Sequence, residues 1–155
     1  IAIRKLVKEE GYTPIPYTKD LIKDLHKHKI KLAIASSSSE EQIEEVTKAL
    51  GIHKYFHKFI SGTNLEHSKP APDIFIKALK ELDVRASESI VIEDSMNGSI
   101  AAKDAGIPCI GFINENSGNQ DLSTTNVQIK SFLDINYDFL NNVSLKANEL
   151  PSKSN

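Results

Sequence analysis

The sequence predicts an α/β domain built on a parallel sheet. Short apolar runs at 30–35, 59–61, 90–92 and 109–112 alternate with stretches of helical periodicity, the pattern of strands joined by crossover helices. Two of those runs also end abruptly in side chains that carry chemistry. Four hydroxyls, Ser36-Ser37-Ser38-Ser39, follow Ile30 to Ala35, and two acids, Glu93-Asp94, follow Ile90-Val91-Ile92. In an open parallel sheet the carboxyl ends of the strands face the crevice where ligands bind.

The elements follow in order. Ile1 to Gly11 reads as a helix, with Ile3, Leu6 and Val7 on one face among Arg4, Lys5, Lys8, Glu9 and Glu10. Thr18 to Lys29 is expected to be a helix burying Leu21, Ile22 and Leu25, and Ile30 to Ala35 a strand. Glu40 to Leu50 is the next helix, with Ile43, Val46 and Leu50 inward and Gly51 as a left-handed stop. Phe59-Ile60-Ser61 is a short strand. Pro72 suits the first turn of a helix reaching Leu82, in which Phe75, Ala78, Leu79 and Leu82 form a core stripe. Ile90 to Ile92 is a strand, Asn97 to Ala105 a helix ended by Gly106, and Cys109 to Phe112 a strand. Beyond it, Asn114 to Thr125 is rich in Asn, Ser, Gly and Thr and reads as a surface loop. Val127 to Phe132 adds a short edge strand, Asp134 to Leu140 a turn or short helix, and residues from Asn141 a flexible tail. There is no internal repeat.

Three segments carry chemistry. Adjacent carboxylates at Glu93 and Asp94 suit a hard divalent cation such as Mg2+, which prefers oxygen ligands; an acidic turn after a strand is the plainer alternative. The serine run precedes an amphipathic helix, where hydroxyls, backbone N–H groups and the helix dipole all favour an anion. Ordinary capping accounts for Ser39, which forms a capping box with Gln42, but leaves Ser36, Ser37 and Ser38 unexplained. In Ser68-Lys69-Pro70-Ala71-Pro72-Asp73 two prolines fix the backbone just after a lysine, so that Lys69 can reach a site as a compact positive charge.

In this order the three segments resemble the haloacid dehalogenase-like phosphohydrolases, in the branch that includes beta-phosphoglucomutase and small sugar-phosphate phosphatases. Ile34-Ala35-Ser36 is similar to that family's second motif, Ser68 to Asp73 to its lysine motif, and Glu93-Asp94-Ser95 with Gly98 and Ala105-Gly106 to its metal motif. The resemblance spans roughly residues 14 to 113. It implies a three-layer Rossmann-like parallel sheet, and a site in which Ser36 hydrogen-bonds a transferring phosphoryl group, Lys69 offsets its charge, and Glu93 with Asp94 holds Mg2+. Ser37 and Ser38 would join Ser36 and Lys69 in binding phosphate. The implied activity is phosphoryl transfer from a small phosphorylated substrate through an aspartyl phosphate, ending on water in a phosphatase or on a sugar hydroxyl in a mutase.

One part of the family pattern is missing. Its first motif, Asp-x-Asp, supplies the nucleophile and general acid, and no such pair occurs before Ser36, where the acids are Glu9, Glu10, Asp20 and Asp24. Residue 1 is Ile and the only methionine is Met96, so the expectation is that an upstream segment has been removed. Residues 1–13 would then be the end of a helical cap and its hinge, 14–140 an incomplete core lacking its first strand and most of the cap, and 141–155 the tail. Without a central first strand, the strands ending at Ser36 and Asp94 would present unpaired edges and an unstable sheet. A non-catalytic phosphate-binding module is the alternative. A receiver-type signalling domain fits less well, because its acids precede the hydroxyl and lysine, whereas here the order is Ser36, Lys69, Asp94.

Composition narrows the partners. A charged fraction of 26% and a formal net charge of −2 give no electrostatic footprint for nucleic acid. No apolar stretch approaches the roughly 20 residues needed to cross a bilayer, and the reading is a soluble cytoplasmic domain of undetermined oligomeric state. Cys109 is the single cysteine, which excludes an internal disulfide, and its apolar run marks it as an inert core thiol. Of the five histidines none has paired ligand spacing; His67 lies nearest the lysine segment.

Overall fold

The computed structural model describes residues 2–3, 16–114 and 120–149. Six strands form one sheet: β1 (Ala2–Ile3), β2 (Ala33–Ser36), β3 (Lys58–Ser61), β4 (Val91–Glu93), β5 (Cys109–Phe112) and β6 (Val127–Ile129), in the order β3-β2-β1-β4-β5-β6. Every pairing is parallel, so each connection must cross over a face of the sheet. The first four crossings contain α1 (Thr18–Lys27), α2 (Glu40–Ala49), α3 (Asp73–Leu82) and α4 (Met96–Asp104), β5 and β6 are joined by residues 113–126, and α5 (Tyr137–Glu149) follows β6.

Side-chain alternation divides the core in two. On one face Ile34, Ile92, Ile110 and Phe112 pack with Leu21, Ile22 and Leu25 of α1, Ile43 of α2, and Leu140 and Val143 of α5. On the other, Ala35, Ile60, Val91 and Cys109 meet Ile74, Phe75 and Ala78 of α3 and Ala101 and Ala102 of α4. The arrangement is helix, sheet, helix, and burying both faces is what makes the strands read as continuous apolar runs. In α4 the inward residues Gly98, Ser99, Ala101 and Ala102 are all small, which brings that helix close to β4.

The strands and α1 to α4 lie where the sequence predicts them, within one to three residues at the ends. Three expectations differ. Ala2–Ile3 are extended instead of helical and fill the place between β2 and β4, Ala2 opposite Ala33 and Val91, and Ile3 opposite Ile34 and Ile92. The N–H and C=O groups of two flanking strands outweigh a weak local periodicity, and the interior edges are paired at these two residues. The rest of the expected cap helix and the hinge, residues 4–15, fall outside the described residues. At the other end, α5 continues to Glu149 where a tail was expected from Asn141. Leu140 and Val143 are buried, Asn136 Oδ1 accepts from Phe139 N at 2.9 Å, and Asp24 Oδ2 of α1 accepts from Tyr137 N at 3.2 Å. Lastly, the loop after β5 is anchored inward: Leu122 is buried and Gln120 reaches the turn after β4.

Candidate functional site

The order of the sheet reverses between β1 and β4, and the strands that flank β1 at that switch point, β2 and β4, end in the serine turn and in Glu93. Glu93 is the last residue of β4 and is fully buried. Its Oε1 accepts from Asp94 N (3.1 Å), Ser95 N (3.2 Å) and Ser95 Oγ (3.0 Å), while its Oε2 accepts from Lys69 Nζ at 3.4 Å. Ser95 Oγ in turn accepts from Gly98 N at 3.0 Å and caps α4. The carboxylate occupies the space that a side chain at Gly98 would need: a Cβ there would lie 2.5 Å from Glu93 Cγ and closer still to its Cδ and Oε2.

Lys69 comes from the loop between β3 and α3, with its side chain 6% exposed. Its ammonium sits 4.9 Å above the centroid of Phe75, so the charge is held by both a carboxylate and an aromatic face. The loop is closed at its base by Asp73, whose Oδ2 accepts from His67 N and lies 3.3 Å from His67 Nδ1. His67 itself is 64% exposed.

The serine turn is stitched to β3. Gly62 N donates to Ser36 O at 2.7 Å, and Ser61 Oγ donates to Ser38 O at 2.6 Å. Ser36 Oγ accepts from Ser38 N at 3.2 Å, which orients the half-buried hydroxyl with its own proton available to an acceptor. Ser37 and Ser38 are exposed. Ser39 makes the expected capping box, each of its two bonds with Gln42 being 3.2 Å long.

Asp94 is buried directly after β4. Among the described residues no three His, Cys, Asp or Glu side chains are grouped to hold a metal. Mg2+ does not require such a cage, since it retains several waters and commonly binds one or two carboxylates together with substrate phosphate. The donor set fits that mode through Asp94. Glu93, read from the sequence as a second ligand, is turned onto Lys69, Ser95 and the backbone, on the face opposite Ile92 as strand alternation dictates.

Three residues at the site were not singled out for it by the sequence. Ser61 carried the same signal as Ser36, a hydroxyl at the end of an apolar strand. Gln120 carried none: its Nε2 donates to the carbonyl oxygens of Asp94 and, at 3.1 Å, Phe112, and its Oε1 accepts from Asn114 N at 3.0 Å. Asp73 belonged to the lysine motif without a role. Cys109 is buried as expected, and burial, with the Glu93 charge added, pushes its thiol far above the ordinary range.

A family model described as "Haloacid dehalogenase-like hydrolase" matches residues 2–112. The chain belongs to that family. Protein CbbY of Cereibacter sphaeroides is 38% identical over 98 residues, which is 61% of this chain and 43% of that protein. A phosphorylated carbohydrates phosphatase of Thermotoga maritima is 33% identical over 104 residues, 67% of this chain and 48% of that one. The crystal structure of CbbY from Rhodobacter sphaeroides in complex with phosphate superposes with a TM-score of 0.77 at 30% identity, covering 83% of this chain and 59% of that one. The chain thus spans less than two thirds of the length of these relatives. Among the described residues no helix is long and apolar enough to cross a membrane.

Proposed function

We propose that this chain carries the phosphate- and metal-binding part of a cytoplasmic Mg2+-dependent phosphohydrolase that acts on a small phosphorylated metabolite, a sugar phosphate by chemical class. The observation that carries the reading is Lys69. A buried ammonium is costly unless paired, and this one is held 3.4 Å from Glu93 Oε2, whose other carboxylate oxygen accepts from the Asp94 amide. The relatives named for phosphatase activity and for bound phosphate support the same substrate chemistry.

Each residue then has a task. Ser36 donates its hydroxyl proton to a phosphoryl oxygen, with Ser37, Ser38 and the amino end of α2 adding further donors. Lys69 offsets the charge spread over the transferring oxygens, and Glu93, through Lys69 and the Ser95 cap, fixes where that ammonium sits. Asp94 would hold Mg2+, which supplies charge neutralisation at the phosphoryl oxygens. The nucleophile implied by the family resemblance is an aspartate that attacks phosphorus to form an acyl phosphate, which water then cleaves. No residue of this chain before Ser36 fills that role.

The test is to express the reading frame together with the sequence upstream of Ile1 and to measure inorganic phosphate released from a panel of sugar phosphates. An upstream Asp-x-Asp with Mg2+-dependent release, reduced at least about 100-fold by Asp94→Asn, is the expected result. Isomerised sugar phosphate in place of inorganic phosphate would redirect the reading to a mutase. Absence of any Asp-x-Asp upstream would exclude aspartate-based catalysis and leave a phosphate-binding module.

A further inference from the structure

We infer that Gln120 is the positioning residue for Asp94. Its side-chain amide lies in a loop read from the sequence as plain surface, yet it joins three segments. Nε2 donates to the Asp94 carbonyl and to the Phe112 carbonyl at the end of β5, while Oε1 accepts from Asn114 N. Gln120 and Asp94 are 26 residues apart in sequence. Beyond Glu93 at the end of β4 and Phe112 at the end of β5 the ladder pairing stops, so the Asp94 carbonyl has left the sheet. The glutamine supplies the donor that a neighbouring strand would have given, and so fixes the backbone from which the Asp94 carboxylate projects.

The division of labour around Asp94 follows. Its amide nitrogen is held from one side by Glu93 Oε1 and its carbonyl from the other by Gln120, which pins the peptide units on both sides of the Cα. Outer partners that orient a metal-binding residue commonly contribute about 10- to 100-fold to metal affinity. The inference rests on the proposed function where it concerns metal, and on hydrogen-bond geometry alone where it concerns the position of Asp94.

Two variants separate the donor from the acceptor half of the amide. Gln120→Ala removes both. Gln120→Glu keeps an acceptor for Asn114 N but turns a carboxylate toward the carbonyls of Asp94 and Phe112. In 15N-labelled protein two quantities are read: hydrogen exchange at the Asp94 and Ser95 amides, and the Mn2+ concentration that half-broadens the resonances around Asp94. Both variants are expected to exchange faster at those amides and to raise the Mn2+ midpoint about 10-fold, Gln120→Glu at least as much as Gln120→Ala, with the thermal midpoint of unfolding little changed. Gln120→Glu behaving as wild type in both readouts would overturn the inference, since the Nε2 donor would then position nothing. Wild-type protein that shows no broadening near Asp94, with exchange still accelerated in the variants, would remove the metal reading and leave the bracing role in place.

Discussion

Gly98→Ala exposes how tightly the site is built. In an isolated helix the change would stabilise, since alanine is about 1 kcal/mol better than glycine in a helix interior. Here the new Cβ would stand 2.5 Å from Glu93 Cγ and closer to the carboxylate. Carbon atoms sit about 3.5 to 4 Å apart at rest, and the Glu93 Cδ would be only 2.1 Å away, so either the carboxylate or α4 must move by about 1.5 Å. Glu93 is fully buried and bonded at 3.0 to 3.4 Å to Ser95, the Asp94 amide and Lys69. A displacement of that size breaks at least one hydrogen bond to the charged group, worth about 1.5 to 3 kcal/mol, on top of about 1 to 3 kcal/mol of overpacking. After the propensity gain is subtracted, the net loss is about 3 kcal/mol. Urea unfolding followed by circular dichroism should show a clearly lower midpoint for Gly98→Ala. Gly62→Ala, whose Cβ would meet neighbours at 3.4 to 3.6 Å, serves as the tolerant control. Adding Glu93→Ala to Gly98→Ala should cost less than the sum of the two changes, because the second removes what the first collides with. An unfolding midpoint for Gly98→Ala at or above that of the wild type would refute the account, since helix propensity would then outweigh the clash.

Other positions give independent checks. Ser61→Ala removes the donor to Ser38 O and should cost about 1 kcal/mol, while weakening the exchange broadening of inorganic phosphate seen by 31P NMR. Cys109 should resist iodoacetamide at pH 8 in the folded protein, because burial keeps its thiol protonated. The folded protein therefore retains a proton that the unfolded chain releases above about pH 8.5. Stability should decline there by up to about 1.4 kcal/mol per pH unit, a slope that Cys109→Ala should reduce in parallel unfolding titrations. Asp24→Ala removes the acceptor for Tyr137 N at the start of α5; the expected loss is about 1 kcal/mol, with faster proteolytic cleavage within α5 read by mass spectrometry.

Much of the candidate site was legible in the sequence because its side chains sit where apolar strands stop. Ser36 and Asp94 were visible for that reason, and Lys69 because prolines hold its backbone. The orientation of Glu93 was also accessible in principle, since alternation along β4 sends its side chain to the face opposite Ile92. Gln120 was not accessible: a lone glutamine in a polar loop has no periodicity, and its partners are separated from it by other elements. For α5, Asn141 and Asn142 lower helix propensity, and with Leu140 and Val143 the buried side chains among 141–147 and their neighbour, the apolar stripe is too narrow to see. The two residues of β1 were misread because a pair of apolar residues has no period of its own until the strands on either side are known.

The contact between α1 and α5 also has an optical consequence. The Tyr137 ring, at the first position of α5, stacks on His28 just past α1, with centroids 4.3 Å apart and planes 8° from parallel. The sequence contains no tryptophan and four tyrosines, so near-ultraviolet fluorescence comes from tyrosine alone. Tyr17 is exposed and Tyr55 packs edge-on against His26 of α1, whereas Tyr137, the tyrosine of α5, reports whether that helix is seated against α1. The protein carries its own chromophore for that event, and departure of α5 from α1 can be followed by emission in unlabelled material while far-ultraviolet dichroism, summed over all the helices, barely changes.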